Sequence, residues 1–102
     1  MEPIEAQKVV KQLESWLNSE VFVHLEVNPG AYWRSGKGKL KRVHVKGDGP
    51  FRVFLEFEDA GLIHVDDLTH MQVDGDMVIC TGYDHHDRIA RTLEVSTRAF
   101  PI

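Results

Sequence analysis

Cysteine is nearly absent. Cys80 stands alone, so the chain can form no internal disulfide and fits a reducing compartment. No apolar run approaches the roughly 20 residues that a membrane-spanning helix needs. The opening MEPIEAQKVV is acidic and never becomes the apolar segment of a signal peptide, so a cytoplasmic location without a membrane partner is expected. A strongly basic balance is missing too. Twelve Lys and Arg stand against 16 Asp and Glu, a formal net charge of −4 that argues against a wholly basic nucleic-acid binder. Helical periodicity stops after the first 18 residues, so there are no crossover helices to support a parallel sheet.

What is present suits a single domain over residues 1–102, with 42% hydrophobic residues, an ordinary value for a globular chain. A helix is predicted over about 3–18, with Pro3 at a first helical position, where its missing N–H costs nothing. Val9, Val10, Leu13, Trp16 and Leu17 recur at the spacing of one apolar stripe. Glu2 and Glu5 sit favourably at the positive end of the helix dipole.

From Val21 the period is two. VFVHLEV (21–27) sets Val21, Val23, Leu25 and Val27 on one face and Phe22, His24 and Glu26 on the other. After the NPG turn and AYWR, SGKGK (35–39) reads as a polar, flexible loop, followed by the strand LKRVHVK (40–46). FRVFLEF (51–57), LIHV (62–65), HMQV (70–73), DMVICT (76–81) and RIARTLEV (88–95) complete the series, with Asp74-Gly75 as a hairpin signal. The expected fold is therefore mainly β: a compact, mostly antiparallel β-barrel or sandwich of seven to eight short strands over about 20–100, with one N-terminal α-helix. Charge is uneven. Six cations fall between Arg34 and Lys46, and seven acids with no Lys or Arg fall between Glu56 and Asp76. If the fold separates these segments, one side is basic and another acidic.

Candidate chemistry is sparse. His24, His44 and His64 each lie in a strand opposite the aliphatic set, and His24 and Glu26 leave one face together. Were those strands neighbours, His24, Glu26, His44 and His64 could converge on zinc and support a metal-dependent hydrolase-like activity. No HExxH or paired CxxC motif accompanies them, so no cofactor is predicted and zinc stands as the alternative. The GYDHHDR run (82–88) places adjacent histidines in a hairpin connection and reads as an exposed tip. Cys80 sits where a small core residue is expected. SGKGKLKR lacks the phosphate-loop pattern; with Tyr32 and Trp33 it offers a second alternative, a surface for single-stranded nucleic acid. Phe54 has the parity of Arg52 and Glu56, away from Phe51, Val53 and Leu55. Either a helix or second subunit covers that face, or it belongs to a ligand groove; His24, Glu26, Tyr32, Arg52, Phe54 and His64 are accordingly the candidate binding residues.

VFVHLEVNPGAY (21–32), KGDGPFRVFLEF (46–57), LIHVDDLT (62–69) and TGYDHHDRIA (81–90) together resemble the YojF-like family of small proteins from Bacillus-type bacteria. The likeness covers most of the chain from Val21 to Pro101; its most specific pieces are His24-Leu25-Glu26 with Gly30-Ala31-Tyr32, and Gly47-x-Gly49-Pro50-Phe51-Arg52-Val53. The family has no established activity, so the resemblance implies no catalytic roles. It implies a cytoplasmic accessory protein, encoded beside a deacetylase of the kind used in bacillithiol synthesis. The chain departs from the family pattern at Phe54, where a small residue is common, and at Tyr83, where His often follows the glycine. The resulting expectation is a non-catalytic binding or accessory domain, as a homodimer or with that deacetylase.

Overall fold

Strand β3 decides the architecture. It runs without interruption through Ala31–Lys46, 16 residues. At about 3.3 Å per residue a straight strand of that length would span roughly 50 Å, yet the longest extent of the molecule is 37 Å. The strand therefore bends. Its first part pairs with β2 (Glu20–Val27) and its second part with β4 (Phe51–Phe57), so one strand carries the chain around a corner between two sheet halves. SGKGK is thus not a flexible loop. Its two glycines allow the corner to close: a Cβ on Gly36 would strike the Trp33 ring, and one on Gly38 would strike the Phe57 ring.

The computed structural model describes residues 1–101. It is a curled, antiparallel sheet of eight strands, a half-barrel, in the order β1-β6-β7-β8-β2-β3-β4-β5. The remaining elements are β1 (Glu2–Pro3), α1 (Ala6–Glu14), β5 (Gly61–Leu68), β6 (His70–Val73), β7 (Met77–Tyr83) and β8 (Ile89–Ser96). All neighbouring pairs are antiparallel.

The helix is shorter than its apolar stripe suggests. Pro3 belongs to β1, opposite His70, and the helix starts only after Glu5. The stripe continues past Glu14 in successive turns, which is how Trp16 still reaches the core, until Asn18 takes a left-handed φ of 68°. Asn18 and Ser19 then bond both backbone groups of Leu40, pinning the helix exit to the corner strand.

One core fills the hollow side of the sheet. Val9 and Leu13 of α1 meet Val21, Val23, Leu40, Val53, Leu55, Val78, Leu93 and Val95. The period-two reading of FRVFLEF holds: Val53, Leu55 and Phe57 are buried and Arg52 is exposed. Strand β5 runs past Val65 to Leu68 because Asp67, at φ 56°, forms a bulge opposite Arg52. Beyond it Thr69 N–H donates to Thr81 O, and Arg91 reaches Asp67 at 2.8 Å, drawing the end of β5 onto the far side of the hollow. The expected separation of charge does not occur. Cations of β3 are laid against acids at the end of β4: Lys39 on Glu58, and Lys41 and Arg42 on Glu56.

Candidate functional site

The sequence-predicted residues fall into two groups on the outer, convex face of the sheet. His24, Glu26 and Tyr32 lie where β2, β3 and β8 adjoin, whereas Arg52, Phe54 and His64 lie on β4 and β5 with His44 beside them. The four proposed zinc ligands do not converge. His24 faces the beginning of β3, while His44 sits near its other end, beyond the corner. Among the described residues no three His, Cys, Asp or Glu side chains form a metal-ligand group.

The first group is a closed network. A register shift between Val23 and Leu25 leaves Arg34 and Ser35 on β3 opposite the single residue His24. Ser35 takes a φ of 57°, and its hydroxyl is buried without a partner among the described residues. This bulge aims Arg34 at the imidazole: Nη1 stands 3.2 Å from His24 Nδ1. A guanidinium can only donate, so Nδ1 accepts and Nε2 carries the ring proton. Nε2 in turn donates to Glu26 Oε1 at 3.2 Å. The other oxygen of Glu26 accepts from the Asn28 amide at 2.7 Å. The Asn28 amide, followed by the His24 ring, holds the Glu26 carboxyl below the ordinary glutamate range.

The C-terminal segment covers this network. Arg34 Nε donates to Pro101 O at 2.9 Å, and its guanidinium lies 5.1 Å from the centre of the Phe100 ring. Phe100 and Tyr32 flank His24 at 6.2 and 5.9 Å between ring centres, leaving the histidine only 9% exposed. Strand parity put His24 on the face opposite the core, and it is there, but under a cover of its own. Arg34, Asn28 and Phe100 were missed. Arg34 had no readable parity because the bulge resets it, and nothing local announces that Phe100 returns to β2.

The second group is open. His44, Phe54 and His64 are cross-strand partners in one row over β3, β4 and β5. Phe54 and His64 stack at 4.2 Å between centroids with 14° between planes. His64 Nε2 lies 2.7 Å from Asp66 Oδ1; the carboxylate accepts, so the nitrogen donates. Leu62 stands beside this row at 62% exposure, next to Glu56. Tyr32 and Trp33, proposed together as a stacking surface, are consecutive strand residues and leave opposite faces.

Two further candidates resolve simply. In GYDHHDR the Asp84 carboxylate accepts from the backbone N–H groups of His86 and Arg88 at 2.8 and 3.0 Å. Chiefly through the Arg88 amide, these bonds hold Asp84 below the usual carboxylate range. The histidines point outward from this self-capped hairpin loop. Cys80 is buried, and burial pushes its thiol up to about 12, so it is no nucleophile in the folded protein. A shallow hollow between α1 and Val45, lined by Ala6 and Val10, touches neither group of candidates.

A family described as "Protein of unknown function (DUF1806)" matches residues 3–100. The chain belongs to this family. The Bacillus subtilis (strain 168) "Uncharacterized protein YojF" is 28% identical over 117 aligned residues, covering 100% of both chains. The crystal structure of Bacillus subtilis YojF matches the fold with a TM-score of 0.88 and 29% identity, over 99% of this chain and 97% of that one. The YojF-like resemblance read from the sequence thus holds over nearly the whole chain, and the half-barrel matches the fold of the YojF crystal structure.

Proposed function

We propose that this DUF1806 chain is a non-catalytic protein-binding domain that works through the outer face of β3, β4 and β5. The observation that carries this reading is the Phe54–His64 stack, an aromatic pair left on an open sheet face with Leu62 exposed beside it. Single exposed apolar residues are ordinary, but an aromatic row on an open sheet face is the composition of an interface centre. Strand β5 adds a second favourable feature. It ends the sheet, so its outer backbone groups can accept a further strand. The other group of candidates supports the same reading from the opposite direction, because both nitrogens of His24 are already committed within the chain.

The partners to test are a second copy of the chain and the bacillithiol-type deacetylase that the family resemblance implies, in the cytoplasm. Light scattering of wild type and Phe54→Ala tests the first: a wild-type mass near twice 11.7 kDa that halves in the variant supports it. Reciprocal co-purification of the tagged deacetylase tests the second, with loss of capture expected for Phe54→Ala. A monomeric wild type that is captured by neither route, or capture unchanged by Phe54→Ala, overturns the proposal.

A further inference from the structure

Cations on β3 are matched by carboxylates at one end of the β3–β4 ladder and not at the other. Toward the corner, Lys39 lies 3.5 Å from Glu58, Lys41 3.8 Å from Glu56, and Arg42 3.6 Å from Glu56. At the opposite end Lys46 is the direct cross-strand partner of Arg52. Both are exposed, and among the described residues neither makes an ion pair. Like charges directly opposite on a ladder are unfavourable, and one acid would relieve them.

The acids that could do so are engaged elsewhere or unpaired with them. Asp66 and Asp67 flank Arg52 across the β5 bulge, but Asp66 is bonded to His64 and Asp67 to Arg91. Asp48, in the turn between β3 and β4, makes no ion pair with either cation among the described residues. The row immediately beside Lys46 and Arg52 is His44–Phe54–His64. Two uncompensated cations therefore adjoin a row that carries the stacked Phe54–His64 pair.

Resting on the binding role proposed above, we infer that this face docks an acidic peptide segment of a protein partner. Its carboxylates sit on Lys46 and Arg52, and an apolar or aromatic side chain beside them packs on Phe54. The domain tolerates the Lys46–Arg52 repulsion when free and relieves it when bound. A carboxylate against the Arg52 fork gains two parallel hydrogen bonds, whereas Lys46 contributes a point charge.

The probe is a fluorescently labelled, glutamate-rich peptide with one tyrosine, titrated by anisotropy at low and high salt. Wild type should bind it, and Lys46→Gln/Arg52→Gln should weaken binding at least tenfold. Lys39→Gln and Lys41→Gln, whose cations are already paired, should leave it unchanged. High salt should weaken the wild-type complex, because exposed charges are screened. An independent readout needs no ligand: Lys46→Glu should raise Tm by about 2–4 °C by pairing with Arg52. Absence of peptide binding, equal loss in all the lysine variants, or an unchanged Tm for Lys46→Glu each overturns the inference. So does tighter binding of a single-stranded oligonucleotide of equal charge through the same two cations, which would assign a nucleic-acid strand to this face. If the peptide fails while Phe54→Ala still abolishes dimer formation or capture of the deacetylase, the binding role stands and only the acidic partner falls.

Discussion

His24–Glu26 and His64–Asp66 are the same pattern used twice. Each is a histidine followed two residues later by a carboxylate, on the outer face of one curled sheet, with the ring bonded to the acid. Their surroundings make them opposites. His24 has Arg34 on its second nitrogen and a tail over its ring; His64 has an exposed surface and one stacked neighbour, Phe54. Setting decides what a histidine–acid pair can do, and here it makes one pair a fastening and leaves the other free to meet a partner.

That contrast ranks the effects of substitution. His24→Ala should cost most, about 2–3 kcal/mol, because it opens a hole under the tail and strands the groups bonded to a buried ring; urea unfolding measures it. Arg34→Ala should follow at about 1–2 kcal/mol, with faster amide exchange at residues 98–100 than in wild type, since Arg34 holds the Pro101 carbonyl.

The acid range sharpens the comparison next. Glu26 has a folded pKa below its ordinary value, so its stabilising contribution is complete above the ordinary glutamate range. It is lost as pH falls through the folded value. Glu26→Gln should therefore be less stable than wild type at neutral pH, with the gap closing on acidification; a gap constant with pH contradicts the network. His64→Ala should have the smallest effect, about 0.5 kcal/mol or less in the same unfolding assay, as expected for an exposed position.

Much of this was legible in the chain because alternation is a strong signal wherever one sheet face is buried. Phe51, Val53, Leu55 and Phe57 follow it without exception, as do Val21 and Val23. Alternation fails where the backbone slips. The bulge at Arg34 and Ser35 hid the residue that secures His24, and the bulge at Asp67 hid the last part of β5. Glycine misled for a different reason. In SGKGK it signalled flexibility, whereas Gly36 and Gly38 supply room for aromatic rings at a corner, and that room is set by Trp33 and Phe57. Local preference favours Pro3 in the helix, but pairing with His70 places it in β1. The cover on His24 could not be read at all, since Phe100 reaches it only through the folded sheet.

Mass-spectrometric mapping of histidine acylation in the native protein puts the contrast to its most direct test. An imidazole-directed reagent needs an accessible, uncommitted ring nitrogen. Our account predicts that His64 is modified readily and His24 stays unmodified until the chain unfolds or Arg34 is removed. Modification of His24 in native wild type as fast as His64 would contradict it.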